Sequence, residues 1–176
     1  PFVDGPLNNP ENPAEELYLQ VISTAQHFLY ITTPYLALEE SMIQDLCIAA
    51  DSGVDVRILL PGIPDHWYTY LAYYDRLLRH GVRIYHYTPG FLHSKLLVAD
   101  GEMALVGSVN LDYRSFQLHY ECGVVLYGMS AVEHILRDIR GYMEEQCQEV
   151  LLPKWRRRSI FRRMAEAVLK IFTIWM

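Results

Sequence analysis

The stretch FLHSKLLVADGEMALVGSVNLDYRSF, residues 91–116, decides the fold of this chain of 176 residues. It holds two short runs rich in aliphatic residues, 93–99 and 103–109, and each has the length of a strand. Asp100-Gly101 lies between the runs, and an Asp-Gly pair is a strong signal for a two-residue hairpin turn. The stretch therefore predicts a β-hairpin.

The polar residues of this predicted hairpin converge on one face. A two-residue turn pairs residue 99 with 102 and 97 with 104, and it places His93 opposite Ser108. Because side chains alternate along a strand, Lys95 and Asn110 share that face. Each residue alone has an ordinary structural explanation. Together they indicate a site that handles phosphate without metal ligands.

The pattern His-x-Lys-x4-Asp-x6-Gly-Ser-x-Asn, which begins at His93, resembles the signature that members of the phospholipase D superfamily carry once per half-module. GSVNLDYRSFQLHYE, residues 107–121, is similar to the bacterial cardiolipin synthase branch in particular. The upstream segment ITTPYLALEE, residues 31–40, agrees, so the resemblance covers nearly the whole chain. One departure is His119-Tyr120, because the family more often has Asn before the aromatic residue and the Glu.

The resemblance implies a role for each residue of the signature. His93 is expected to attack phosphorus and to hold the phosphatidyl group as a phosphohistidine. The groups expected to bind the non-bridging phosphate oxygens are Lys95, Ser108 and Asn110. Glu121 is the expected orienter of His93, with an ordinary surface position in a strand as the alternative. The remaining expected contributors are Asp100, which belongs to the signature and is expected to brace the turn, and Thr33 and Tyr35, which are expected near the substrate.

A second histidine has to protonate the leaving alkoxide and deprotonate the incoming alcohol. The family supplies it from a second half-module. No other histidine of this chain has a Lys two positions later; these are His27, His66, His80, His86, His119 and His134. We therefore expect this chain to be the C-terminal half of a two-module synthase. Symmetric pairing of two copies is the alternative.

Length and hydrophobicity are sufficient for one domain with a substantial core. Apolar runs predict further strands at 28–33, 54–60, 82–87 and 121–127, and helical periodicity predicts helices at 14–26, 39–51, 66–80 and 130–149. This alternation favours an α/β fold, a three-layer α/β/α sandwich with a mixed sheet. We expect an extended entry segment or linker at 1–13, a phospholipase D-like half-module at 14–153, and a C-terminal amphipathic helix at 154–176.

Charge is distributed unevenly along the chain. Residues 154–176 carry seven Lys or Arg and one Glu, a net charge of +6, whereas residues 1–153 carry eight Lys or Arg and twenty Asp or Glu, a net charge of −12. A basic amphipathic helix is typical of segments that lie in an anionic membrane interface. The alternative is a terminal helix that packs on the domain or on a missing half. The acidic body argues against nucleic acid as a partner.

Cysteine usage points away from a disulfide framework and from a metal centre. The three cysteines have no CxxC spacing, so we expect neither metal nor cofactor and favour a reducing, cytosol-facing setting. Combined with the resemblance, this predicts a peripheral protein on the cytoplasmic face of a bacterial membrane, with phosphatidylglycerol and anionic lipid as partners.

Three functions remain open from the sequence. The first is phosphatidyl transfer, in which two phosphatidylglycerols give cardiolipin and glycerol through a phosphohistidine. The second is a phospholipase D-type hydrolase or nuclease that acts on phosphodiesters as a homodimer. The third is a non-catalytic half-module that serves in pairing or membrane attachment.

Overall fold

The computed structural model describes residues 1–6, 12–63 and 67–157, and of residues 67–72 it describes the helical backbone alone. The described strands are β1 (Phe2–Asp4), β2 (Phe28–Thr32), β3 (Leu36–Ala37), β4 (Asp55–Pro61), β5 (Arg83–Tyr87), β6 (Leu96–Ala99), β7 (Met103–Gly107), β8 (Leu111–Asp112), β9 (Glu121–Tyr127) and β10 (Cys147–Glu149). The described helices are α1 (Pro13–Thr24), α2 (Glu40–Asp51), α3 (Trp67–Arg79), α4 (Tyr113–Gln117), α5 (Ser130–Glu145) and α6 (Leu152–Arg156).

Eight strands form one sheet in the order β1-β9-β7-β6-β2-β4-β5-β10, and β3 pairs with β8 in a small second sheet. Strands β2, β4 and β5 are parallel, because α2 and α3 carry the chain back between them. The other pairs of the large sheet are antiparallel. The sheet is therefore mixed, as predicted.

Helices cover both faces of this sheet. Neighbouring residues of β2 point to opposite sides, so Leu29 joins the core beneath α1, α2 and α3 while Tyr30 joins the core beneath α5. On the α5 side, Val132 and Ile139 pack against Tyr30 and Val98. The predicted three-layer α/β/α sandwich is confirmed.

The predicted helix at 130–149 is too long, because α5 ends at Glu145 and residues 147–149 form β10. This short edge strand pairs with β5 and places Glu149 beside Arg83. The Arg83 guanidinium donates to both Glu149 carboxylate oxygens, over 2.9 and 3.1 Å. Tertiary pairing with a strand distant in sequence therefore overrides the helical periodicity here.

The predicted terminal segments are described only in part. Residues 2–4 of the expected entry segment form β1, and 7–11 lie outside the described residues. Residues 158–176, which hold most of the predicted C-terminal helix, lie outside as well. Within the described ranges, no helix has both the length and the hydrophobicity needed to cross a bilayer. The predicted domain boundaries stay predictions.

The predicted register of the β6–β7 hairpin is wrong by one residue. Asp100 and Gly101 both have positive φ, 55° and 74°, and Glu102 N donates to Ala99 O over 3.1 Å, so the expected turn forms. Glu102 is nevertheless an extra residue, because its carbonyl accepts from Gly128 N over 2.8 Å, and Ala99 pairs with Met103. His93 is consequently not the partner of Ser108.

Candidate active site

His93 and Lys95 lie in an irregular segment that precedes β6, and not in the strand itself as predicted. Ser94, between them, fixes the segment to the end of the neighbouring strand β2, because its Oγ donates to Thr32 Oγ1 over 2.9 Å. Thr32 is buried. The backbone that carries His93 and Lys95 is therefore held to the end of β2 by a hydrogen bond between two short side chains.

His93 and Lys95 contact each other directly. Lys95 Nζ lies 3.1 Å from His93 Nδ1 and 3.2 Å from Nε2, and it donates to the His93 carbonyl over 2.9 Å. Because an ammonium group only donates, a ring nitrogen that accepts from it carries no proton. The Phe91 ring stacks on the imidazole, with ring centroids 5.6 Å apart. The imidazole thus contacts both an aromatic ring and a cation.

The charge of Lys95 is set by its surroundings. Burial lowers the pKa of its ammonium group, and the carboxylates of Glu121 and Asp112 oppose that shift. A partly desolvated cation gains most from an anion that replaces its lost hydration. Lys95 is accordingly suited to bind a phosphate oxygen beside His93.

Ser108 and Glu121 meet across β7 and β9. A side-chain carbon on Gly107 would lie 2.5 Å from the carbonyl oxygen of Cys122, so glycine is required for the two strands to approach this closely. Ser108 Oγ accepts from Cys122 N over 3.0 Å and donates to Glu121 Oε2. The close strand approach therefore holds the Ser108 hydroxyl against a carboxylate.

Glu121 is a buried carboxylate, 7% exposed, at the first position of β9. Its second oxygen, Oε1, lies 3.7 Å from His119 Nδ1. Among the described residues, its hydrogen bond is to Ser108 and no hydrogen bond joins it to His93. The expected orienting of His93 by Glu121 stays a prediction.

Asn110 lies just beyond Ser108 and is braced by α4. Its Nδ2 donates to Ser115 Oγ over 3.0 Å. Ser115 N in turn donates to Oδ1 of Asp112, the N-cap residue of α4. Asn110 Oδ1 is buried and has no hydrogen-bond partner among the described residues. Because a hydroxyl both donates and accepts, rotating the amide by half a turn keeps the Ser115 bond and presents the amino group instead. The fold therefore holds the amide in place and leaves one of its two polar atoms without a partner among the described residues.

Asp100 belongs to the sequence signature but lies away from the other residues. Lys95 and Asp100 flank β6, which at about 3.3 Å per residue places their Cα atoms roughly 16 Å apart. The Asp100 carboxylate accepts from three successive backbone N–H groups, those of Gln26, His27 and Phe28, over 2.8–2.9 Å. Burial raises the pKa of this carboxyl, but the three backbone hydrogen bonds prevail and hold it below its usual value. Asp100 braces the turn.

Thr33 and Tyr35, expected near the substrate, lie where β2 ends. Thr33 is buried, and its Oγ1 accepts from Leu111 N over 3.1 Å and donates to the Tyr35 carbonyl over 2.8 Å. Thr33 thereby ties the end of β2 to the backbone that follows Asn110. Contact of either residue with substrate stays a prediction.

Three residues at this site were not singled out from the sequence. Ser94 and Thr32 hold the segment before β6, and Phe91 stacks on His93. His119, which lies beside Glu121, was noted only as a departure from the family pattern. The position of His119 in the motif carried a usable signal, because it is where the chain departs from the family pattern. The Ser94–Thr32 bond joins residues 62 positions apart and had no local signal.

The sequence of this chain matches a known domain family. The family model for the cardiolipin synthase phospholipase D-like domain matches residues 18–143. A protein named cardiolipin synthase from Clostridium perfringens is 39% identical over 161 residues, which cover 88% of this chain and 33% of that protein. Cardiolipin synthase 2 from Bacillus anthracis is 33% identical over 175 residues, which cover 98% of this chain and 34% of that protein. The chain thus spans about a third of the length of these relatives.

The fold is also found among solved structures. A phospholipase D family member, Nuc, from Salmonella typhimurium superposes with a TM-score of 0.73 at 21% identity, over 85% of this chain and 98% of that one. At that identity the likeness concerns the fold alone. The family match over residues 18–143 and the identity with the cardiolipin synthase of Clostridium perfringens show that this chain belongs to the family of the cardiolipin synthase phospholipase D-like domain.

Proposed function

We propose that this chain supplies one half of the active site of a phosphatidyltransferase that converts two phosphatidylglycerols into cardiolipin and glycerol. Membership of the cardiolipin synthase domain family supports the reaction class. The observation that carries the proposal is the meeting of an imidazole with a partly desolvated ammonium group at His93 and Lys95, next to the Ser108–Glu121 pair.

The reaction proceeds in two displacements at phosphorus. A ring nitrogen of His93 attacks the phosphodiester, the bond to the glycerol oxygen breaks, and the phosphatidyl group remains on the imidazole. The hydroxyl of a second phosphatidylglycerol then attacks phosphorus, and the P–N bond breaks to regenerate His93. Glycerol must gain a proton in the first step and the acceptor must lose one in the second.

The negative charge that develops on the phosphate in the transition state determines which groups the other residues must bind. Lys95, Ser108 and Asn110 donate to the non-bridging oxygens, where negative charge builds up in the transition state. Ser108 is supported by Glu121, and Asn110 by Ser115. When substrate binds, the Ser108 hydroxyl turns from Glu121 to the phosphate. The Glu121 carboxylate is then available to orient His93.

The proton carrier comes from a second half-module. It is provided by the part of the protein that corresponds to the remaining two thirds of the relatives, or by a second copy of this chain. The substrate is a membrane lipid, so the protein works at a membrane surface. The basic residues from Lys154 onward, which include Arg156 and Arg157, provide attraction to anionic lipid.

Product analysis tests the proposal. The chain is incubated with phosphatidylglycerol vesicles, alone and together with the part of Bacillus anthracis cardiolipin synthase 2 that it does not match, and the lipids are identified by mass spectrometry. Cardiolipin and glycerol are expected when a complete site forms, and a His93→Ala variant is expected to give neither. His134→Asn, an exposed change on α5, serves as the control.

The products also discriminate between reaction types. Phosphatidic acid in place of cardiolipin would identify water as the acceptor and a hydrolase as the enzyme. Cardiolipin formation that survives His93→Ala would rule out His93 as the nucleophile. With phosphatidylglycerol labelled with phosphorus-32 at its phosphate, rapid quenching at alkaline pH is expected to retain label on the wild-type chain and none on His93→Ala.

A further inference from the structure

A second histidine belongs to this half of the site, although the transfer mechanism above does not use it. His119 Nδ1 lies 3.7 Å from Glu121 Oε1, and Ser108 takes the other oxygen of the same carboxylate. The two partners differ in environment, because Glu121 is 7% exposed and His119 is 45% exposed.

The position of His119 is well defined. Its backbone N–H donates to the carbonyl oxygen of Arg114 over 2.9 Å and closes the end of α4. The ring of the next residue, Tyr120, lies against Gly5, where a side-chain carbon would approach within 2.2 Å of it. The backbone around His119 is therefore held by the fold, and it places the side chain within reach of Glu121.

The charges around Glu121 explain what an added cation does. Three carboxylates lie here, those of Glu121, Asp112 and Asp4. Glu121 and Asp112 both raise the pKa of Lys95, and Asp4 in β1 is the strand partner of Glu121 in β9. Asp4 accepts from Gly5 N and Ala14 N, so part of its charge is satisfied by the backbone. Glu121 and Asp112 nevertheless repel an incoming phosphate, and Lys95 must overcome that repulsion.

We propose that His119, as the imidazolium, is a second cation of this half-site that strengthens the binding of a phosphate anion by offsetting the charge of Glu121. A separation of 3.7 Å is within ion-pair distance and is too long for a hydrogen bond, so the attraction that the proposal invokes is electrostatic. His119 acts through Glu121 and is a positioning residue. The inference rests on the proposed function in placing the phosphate beside His93 and Lys95.

Binding of inorganic phosphate tests the inference without any catalytic turnover. The dissociation constant is measured by phosphorus-31 NMR titration at about pH 6, where histidines in general are largely charged. His119→Asn is expected to bind roughly two- to fivefold more weakly, the size of a partly exposed ion pair. His119→Lys, which keeps a positive charge, is expected to restore binding. His134→Asn should bind like wild type.

Salt and kinetics separate a charge effect from a structural one. The difference between wild type and His119→Asn should shrink at about 1 M salt, where the Debye length falls to about 3 Å. In the reconstituted transfer assay, KM for phosphatidylglycerol should rise by a similar factor in His119→Asn, with kcat falling less. A purely structural role would lower the melting temperature and would not be rescued by lysine.

Several results would overturn the inference. They are phosphate affinity unchanged in His119→Asn, affinity equally weak in His119→Lys, and no measurable phosphate binding by the wild-type chain. Lys95→Met distinguishes the failure of this inference from that of the proposed function. If Lys95→Met loses phosphate and His119→Asn does not, the phosphate site stands and His119 has no part in it.

Discussion

The two ends of the β6–β7 hairpin carry polar residues of the same signature and use them in opposite ways. At the turn, the Asp100 carboxylate is bound by three backbone N–H groups within the fold. At the other end, Lys95 rests against an imidazole, and Asn110 Oδ1 is buried without a partner among the described residues. Polar groups satisfied by the fold stabilise it, whereas groups left incompletely satisfied are available to a ligand.

Removing the nucleophile should separate activity from stability most sharply. His93→Ala is expected to lower transfer by about a thousandfold or more, because a covalent route loses its attacking atom. The free energy of unfolding should hardly change, since the side chain lies in an exposed segment. Transfer assays and urea unfolding of the same preparation check both halves of this statement. A marked loss of stability would show that His93 is also a structural residue.

The turn end should respond in the opposite sense. Asp100→Ala is expected to cost about 3 kcal/mol of folding free energy, because three backbone donors lose a charged acceptor and alanine is strained at a φ of 55°. Asp100→Asn keeps an acceptor and tolerates that φ, so it should cost less. Urea unfolding measures both. Equal losses in the two variants would mean that a neutral acceptor and tolerance of this φ contribute nothing, and that the carboxylate charge accounts for the whole effect.

Acid should remove the contribution of Asp100. Its pKa is lower in the folded chain than the usual value near 4, so the unfolded chain binds protons more readily there. The stabilisation is therefore complete above about pH 4 and is lost as the pH falls through the folded value. The stability difference between wild type and Asp100→Asn should shrink on acidification below pH 4. Other carboxyls titrate in this range, so the difference between the proteins is the relevant quantity.

Two glycines offer a matched test of the close approach of β7 and β9 at the hairpin end opposite the turn. Gly107→Ala is expected to cost about 2 kcal/mol and to impair transfer, because the new carbon meets the Cys122 carbonyl oxygen at 2.5 Å and pushes Ser108 from Glu121. Gly141→Ala in α5 meets nothing within 4 Å and should stabilise by about 0.5–1 kcal/mol. Thermal melts and transfer assays compare them. Full activity in Gly107→Ala would argue against the Ser108–Glu121 pair.

What could be predicted from the sequence depended on how local its cause is. Strand β4 and the mixed sheet follow from apolar runs and their alternation with helices, and they were predicted well. The predicted hairpin register was wrong because Gly128, the residue that follows β9, donates a hydrogen bond to the carbonyl oxygen of Glu102. The segment around His93 was wrongly predicted as a strand. The hydrogen bond from Ser94 to Thr32 that holds this segment joins residues far apart in the sequence. Local patterns contain neither contact.

The Ser94–Thr32 hydrogen bond offers the finest test of how the hairpin end opposite the turn is held. Ser94→Ala and Thr32→Val each remove it from one side, and each is expected to cost about 1 kcal/mol of stability with a moderate fall in transfer. Because both changes delete the same hydrogen bond, the double variant should lose clearly less than the sum of the two single losses. Additive losses in urea unfolding would show that the two hydroxyls act independently. A coupling energy that also appears in kcat/KM would connect this buried contact to the placement of His93 and Lys95, and it would show that this end of the hairpin, too, depends on polar groups satisfied within the fold.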